Sequence, residues 1–248
     1  MLKKSILLFF LVFSLHAGSI NIAVAANVSY AMDTLIKEFN LQNPNTKVRV
    51  TLGGSGKLTA QIKHGAPYQL FMSANMDYPN ALYKEGIATT KPLVYAQGSL
   101  AYFSGKKQDF KEGMELLKSK KIKKIAVANP RTAPYGKATV EALKNANVYD
   151  VVKKKFVYGE SIAQTVSYAV TAADLGFVAK SSLYSSKMAS YKKGENWIDV
   201  NPELYTPIDQ GVVILKSGSN NDEVHAFYEF ILSQNARAIL KEFGYLLP

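Results

Sequence analysis

Between residues 20 and 86, continuous apolar runs alternate with stretches in which apolar residues recur every three or four positions. A short apolar run is typical of a buried strand, and the three-to-four spacing is typical of a helix with one buried face. Strands and helices that alternate in this way favour a parallel sheet. The predicted strands are the apolar runs 20–25 and 69–74 and the segment 47–52, in which apolar and polar residues alternate. The predicted helices are 30–39, 58–63 and 78–86.

A second cycle of the same kind occupies the middle of the chain. Between the cycles, residues 92–103 form a long extended run with polar residues at its centre, which suits a segment that passes between lobes. Residues 208–215 form a run that can return the chain to the first lobe. We therefore predict an α/β fold with lobe I at 20–95 plus 208–248 and lobe II at 96–207. The remaining predicted elements are helix 113–118, strand 125–128, helix 137–145, strand 155–158, helix 162–171, strand 175–179 and helix 222–243.

Four of the predicted strand-to-helix junctions carry small, hydroxyl or amide residues. The first N–H groups of a helix have no partner inside it and carry the positive end of its dipole. Several such termini that face one cleft can bind an anion without a full positive charge opposite it. The junctions therefore predict a site for a small anion. They are Ala25-Ala26-Asn27-Val28-Ser29, Gly53-Gly54-Ser55-Gly56, residues 129–136 and Gly159-Glu160-Ser161-Ile162.

The same residues also have a purely structural explanation. Serine and asparagine are preferred helix N-caps, so Asn27, Ser55 or Ser161 taken alone is explained as well by capping as by ligand binding. The argument for a ligand rests on the four junctions together, two in each predicted lobe.

Catalysis is not indicated by the residue types. The chain has no cysteine, and beyond the leader its only histidines are His64 and His225, which lie in unrelated settings. The segment Gly54-Ser55-Gly56 lacks the spacing of a serine-hydrolase elbow. We therefore predict a protein that is not an enzyme and has no metal site and no cofactor.

The first 19 residues are typical of a secretory signal peptide, with two lysines, an apolar stretch from Ile6 to Phe13 and small residues at 17–19. We expect a cleaved leader and a soluble periplasmic protein. Without the two leader lysines, 28 basic side chains stand against 19 acidic ones, a net charge of +9 that suits an anionic partner. The lysine run at 118–124 follows a predicted helix end, and no RNA-binding, zinc or helix-turn-helix pattern accompanies it, so we predict no nucleic-acid partner.

Several segments, in their order along the chain, resemble the periplasmic molybdate-binding proteins, the soluble receptors of molybdate ABC importers. The segments are Ala25 to Met32, Gly54 to Pro67, Leu70 to Ala74, Asn129-Pro130 with Pro134-Tyr135-Gly136, and Ala173 to Val178. The resemblance implies a two-lobed, type II-like periplasmic binding-protein fold with two crossover strands and a ligand cleft between the lobes. It also implies that a tetrahedral oxyanion is bound whole, without its hydration shell.

The resemblance also implies the ligand-binding residues. The family's first ligand position, usually a serine before the first helix, falls on Asn27, which can donate through its amide nitrogen or its backbone N–H. Ser29 is an alternative hydroxyl two residues further on. The second position matches directly at Ser55, which would donate its hydroxyl and its backbone N–H. Backbone N–H groups of Tyr135 and Ile162 would complete the site.

One donor of the family is missing from this sequence. The family often supplies a tyrosine hydroxyl after the Ala-Asp-x-Gly run, where this chain has Ala179. Tyr135 or another tyrosine would have to replace it.

The resemblance implies an exported receptor that captures molybdate, and also the similarly sized tungstate, and delivers it as a monomer to an inner-membrane ABC permease. Two alternatives stay open: a receptor for another anion such as sulfate, phosphate or an organic acid, and a surface adhesin or interaction protein on the same fold. A phosphate that carries a proton needs an acceptor in its pocket. None of the four junctions has an obvious aspartate, which favours a fully deprotonated oxyanion.

Overall fold

The protein forms two α/β lobes, each built on its own five-stranded sheet. A computed structural model describes residues 18–247, so most of the predicted leader lies outside the described residues. The strands are β1 (Ser19–Ala25), β2 (Lys47–Gly53), β3 (Leu70–Ser73), β4 (Leu93–Gly98), β5 (Leu100–Phe103), β6 (Ile125–Ala128), β7 (Phe156–Gly159), β8 (Leu175–Ala179), β9 (Trp197–Asp199) and β10 (Ile208–Ile214).

Helices follow most of the strands, as the alternating pattern predicts. Among residues 18–247, no helix is both long and apolar enough to cross a membrane. The helices are α1 (Ser29–Gln42), α2 (Ser55–Lys63), α3 (Asp77–Lys84), α4 (Pro134–Asn145), α5 (Tyr149–Val152), α6 (Ile162–Thr171), α7 (Asp222–Leu232) and α8 (Gln234–Glu242).

The two sheets have the orders β2-β1-β3-β10-β4 and β7-β6-β8-β5-β9. In each sheet the first three strands are parallel, and the strands that come from a crossover run antiparallel to their neighbours. The chain crosses between the sheets twice, from β4 to β5 and from β9 to β10. The predicted two-lobed α/β fold with two crossover strands is thus confirmed.

Each sheet is covered by helices on both faces, which explains why central strands such as β3 and β8 are apolar along most of their length. In the first sheet, Ile22 and Val24 pack beneath α1, α7 and α8, whereas Ala23 between them faces the cluster that includes Leu58 of α2 and Leu82 of α3. Successive strand residues point to opposite faces, so a strand buried on both sides has no polar alternation.

Three predicted elements differ from the structure. The run 92–103 is two strands in two sheets, separated at Ser99. Residues 113–118 form a 3-10 helix. The single helix predicted at 222–243 is two helices, because Ser233 has extended backbone and its Oγ accepts the N–H of Ala236 at 3.3 Å, which starts a new helix there. The predicted lobe limits stay a prediction.

Candidate anion-binding site

The four predicted junctions lie at the carboxyl ends of four strands, paired two by two. Ala25 at the end of β1 is the register partner of Gly53 at the end of β2, and Ala128 at the end of β6 is the partner of Gly159 at the end of β7. Parallel strands place their carboxyl ends on one edge of a sheet, and ligands of such sheets bind there. In each sheet the two predicted junctions therefore lie side by side.

A small cavity separates these edges. Its volume is well below the size that is usual for sites of larger organic ligands. None of the described residues that line it is charged. The lining residues are Ala25, Ala26, Asn27, Gly53, Gly54, Ser55, Ala74, Ala133, Pro134, Tyr135 and Ile162.

Three α-helices begin at the cavity. Helix α2 begins at Ser55, α4 begins at Pro134, and α6 begins at Ile162, while a 3-10 turn at 26–28 leads into α1. Their first N–H groups lack partners within the helices and carry partial positive charge. This arrangement supplies several donors and a positive potential to a small anion without any cationic side chain.

Ser55 is held so that its hydroxyl proton is free to point at a ligand. The side chain is 1% exposed, and its Oγ accepts the backbone N–H of Ala74 at 2.9 Å. A serine hydroxyl that already accepts one hydrogen bond still has its own O–H to donate. The backbone of Ser55 also accepts a bond from Thr59 Oγ1 at 2.7 Å, which keeps the first turn of α2 in place.

Asn27 lines the cavity, but its side-chain nitrogen is occupied. Its Nδ2 donates to Gln210 Oε1 and to Tyr245 Oη, each at 2.8 Å. Its Oδ1 is buried without a hydrogen-bond partner. The carboxamide that was predicted as a possible ligand donor therefore makes its contacts within the protein.

Tyr135 and Ile162 reach the cavity at the starts of α4 and α6, where their backbone N–H groups have no helical partner. The Tyr135 ring extends to the β4–β5 crossover, where a Cβ on Gly98 would lie 2.1 Å from its Oη. This hydroxyl is buried without a partner, and burial raises the pKa of Tyr135 well above its ordinary value. The phenol therefore stays protonated and keeps its O–H as a donor, and whether it replaces the missing family tyrosine stays a prediction.

Other residues singled out from the sequence lie beside the cavity rather than in its wall. Ser29 Oγ donates to the carbonyl of Ala26 at 2.8 Å. Ser161 is the N-cap of α6 and accepts the N–H of Gln164 at 3.3 Å. Ala179 is fully buried at the end of β8. The capping explanation thus describes the Ser161 side chain well, whereas Ser55 makes no side-chain cap.

Metal binding finds no support within residues 18–247, because no three His, Cys, Asp or Glu side chains come together there. Residues 20–246 match the family described as bacterial extracellular solute-binding protein. The chain belongs to this family of solute-binding proteins.

Relatives of this solute-binding protein include proteins named as molybdate-binding. It is 35% identical to the molybdate-binding protein ModA of Azotobacter vinelandii, over 93% of this chain and 90% of that protein. It is 32% identical to ModA of Rhodobacter capsulatus, over 93% and 89%. The solved periplasmic molybdate-binding protein of Azotobacter vinelandii superposes with a TM-score of 0.85 at 31% identity, covering 92% of this chain and 99% of that one. The predicted resemblance is confirmed.

The two lobes of this solute-binding protein also touch at the rim of the cavity. The backbone N–H of Gly56, in α2, donates to the carbonyl of Thr132, before α4, at 2.9 Å. Two ion pairs also join the lobes: Lys57 Nζ lies 3.1 Å from Glu160 Oε2, and Lys137 Nζ lies 3.2 Å from Asp77 Oδ2. All four side chains are well exposed.

Sequence reasoning missed these rim contacts and the partners of Asn27. Gln210 and Tyr245 are 183 and 218 residues away from Asn27 in the chain. A contact between such distant residues leaves no periodic signal in a sequence. Gly56 was a usable signal of close backbone packing, because a Cβ at this position would lie 3.0 Å from the Cα of Thr132.

Proposed function

We propose that this solute-binding protein captures molybdate, and also tungstate, between its lobes and delivers it to the permease of an ABC importer. The observation that carries the proposal is the convergence of three α-helix N-termini and the 26–28 turn on one small cavity whose described wall has no charged side chain. A divalent oxyanion without protons needs only donors, and these groups are donors. The named relatives support molybdate as the ligand.

The proposed binding groups come from both lobes. Ser55 donates its hydroxyl and backbone N–H, and Asn27, Tyr135 and Ile162 donate backbone N–H groups. A ligand that contacts both lobes binds the closed form more tightly than the open form, so it shifts the equilibrium toward closure. The backbone hydrogen bond between Gly56 and Thr132 at the rim then helps to seal the cavity.

The proposal extends to the cellular setting. Residues 1–19 act as a leader that is removed, and the mature chain works as a monomer in the periplasm. It is a transport protein that performs no chemical reaction on its ligand. The solved periplasmic protein of Azotobacter vinelandii matches 92% of this chain, which supports this setting.

A second candidate is a receptor for an oxyanion that carries a proton, such as hydrogen phosphate. One observation favours it: Asn27 lines the cavity, and its Oδ1 is buried without a donor. An acceptor in that position would be satisfied by a protonated ligand and not by molybdate.

Calorimetric titration of the mature protein with molybdate, tungstate, sulfate and phosphate, in a buffer free of other anions, tests both candidates. We expect tight binding of molybdate and tungstate only. Tightest binding of phosphate would favour the second candidate. Sulfate binding alone would indicate a different selectivity, and absence of binding to all four would favour an interaction protein on the same fold.

A further inference from the structure

The Asn27 side chain ends in a buried polar cluster behind the cavity. Asn27 and Gln210 are 0% exposed and Tyr245 is 3% exposed. The two N–H bonds of the Asn27 carboxamide point to Gln210 Oε1 and Tyr245 Oη, both at 2.8 Å. The remaining atom, Oδ1, can only accept, so the side chain has no donor left to offer to a ligand.

The backbone of Asn27 is held at the same point. Its carbonyl oxygen accepts from Tyr245 Oη and from Ser181 Oγ, each at 3.0 Å. Tyr245 Oη therefore accepts from the side chain and donates to the main chain of one residue. Burial raises the pKa of Tyr245, which keeps its proton in place for the second bond.

The residues that hold Asn27 belong to the crossover region. Gln210 lies on β10, where the pairing with β4 shifts register between Gln210 and Gly211. Tyr245 follows α8, and the next residue, Leu246, exchanges two backbone hydrogen bonds of 2.8 and 2.9 Å with Gln97 of β4. Hydrogen bonds thus fix the position of Asn27 relative to β10 directly and relative to β4 through the segment Tyr245-Leu246.

We propose that Gln210 and Tyr245 are positioning residues for oxyanion binding, which occupy both side-chain N–H bonds of Asn27 and leave its backbone N–H as the donor to the ligand. The proposal rests on the proposed function. It assigns the side chain of Asn27 an anchoring role and its main chain the contact with the anion. A donor is effective only when it is held at the right distance and angle before the ligand arrives.

Titration of Tyr245→Phe and Gln210→Leu with molybdate tests the proposal. Each variant leaves a buried polar group of Asn27 without a partner, so we expect affinity to fall roughly tenfold. In an Asn27→Ala background, Gln210→Leu should cause no further loss, because Gln210 acts through the Asn27 side chain. Tyr95→Phe is the matched control, since the buried Tyr95 hydroxyl has no partner; its affinity should equal that of the wild type.

A second measurement does not depend on how well the variants fold. In the 15N-labelled wild-type protein, saturating molybdate should shift the backbone N–H of Asn27 and leave its two side-chain N–H signals in place. Larger shifts of the side-chain signals would overturn the proposal, because they would show that the carboxamide contacts the anion.

The outcomes separate this proposal from the one on which it rests. Wild-type binding together with unchanged affinity in Tyr245→Phe and Gln210→Leu would overturn the positioning role and leave the receptor function intact. A wild-type protein that binds no oxyanion would overturn both. An equal loss from Gln210→Leu in both backgrounds would assign Gln210 a general structural role and likewise overturn the proposal.

Discussion

The two lobes line the cavity with different kinds of groups. The first lobe contributes the hydroxyl of Ser55 and a main chain fixed by the Asn27 side chain, whereas the second lobe contributes the helix starts at Tyr135 and Ile162, whose side chains pack into the protein. In the first lobe, side-chain chemistry determines the site. In the second lobe, only the path of the backbone does, so its side chains can vary as long as the helices begin in the same places.

The largest effect should come from moving the backbone of the second lobe. In Gly136→Ala, the new Cβ would lie 2.1 Å from the carbonyl oxygen of Ala128, so α4 must shift away from β6. We expect the free energy of unfolding to fall by about 3 kcal/mol, the upper part of the usual range for overpacking, with a loss of molybdate affinity. Urea unfolding and calorimetry measure the two quantities.

Gly53→Ala is the control for that variant, because its Cβ would meet only the Leu58 side chain, at 3.2 Å. Its unfolding free energy should change much less. Equal unfolding free energies of Gly136→Ala and the wild type would contradict the inference that α4 packs too closely on β6 to accept a Cβ at this position.

The next largest effect should come from the Ser55 hydroxyl. Ser55→Ala removes a ligand donor and leaves the N–H of Ala74 without its acceptor, so affinity should weaken by about 1 to 3 kcal/mol. Calorimetric titration gives the value. Ser55→Thr keeps a hydroxyl and should retain most of the affinity. Unchanged affinity in Ser55→Ala would remove this residue from the site.

The rim should matter less than the cavity wall. Exposed ion pairs contribute little and are screened by salt. Lys57→Ala, which breaks the pair with Glu160, should change molybdate affinity less than about fivefold, and less still at high salt. Titrations at low and high ionic strength, with Glu160→Gln as the reverse change, measure this. A larger loss in Lys57→Ala than in Glu160→Gln would show that the lysine itself attracts the anion.

The smallest effects should come from side chains of the second lobe. Tyr135→Phe removes a buried hydroxyl that has no partner, and Ile162→Val removes one methylene and keeps the backbone N–H. We expect affinities within about twofold of the wild type for both, since neither change touches a ligand donor. A marked loss in Tyr135→Phe would place its hydroxyl on the ligand and erase the contrast between the lobes.

Most of the fold could be predicted because its signals are local. The apolar run at 20–25, the alternation at 47–52 and the helical spacing give β1, α1, β2 and α2 within a few residues. The break at Ser233 was missed because the apolar spacing continues through it, and a single N-cap serine is weak evidence inside such a pattern. The short strand β9 has too few residues to show any periodicity.

The site was predictable only where it coincides with the ends of strands. That rule places the four junction segments at one cavity, and the family resemblance selected Asn27, Ser55, Tyr135 and Ile162 within them, all of which line the cavity. The resemblance also suggested Ser29, whose hydroxyl donates to the carbonyl of Ala26, a local bond that competes with any ligand. The partners of Asn27 come from distant parts of the chain, and no local rule can find them.

The position of β10 in the first sheet determines the order in which the lobes can form. This strand lies between β3 and β4, yet it follows the whole second lobe in the chain. Until residues 208–214 are available, β4 has no partner within its sheet and β3 has an open edge. The second sheet needs only residues 100–199, so we expect it to fold as a continuous unit first, while the first lobe, with its long loop closure, forms last and more slowly.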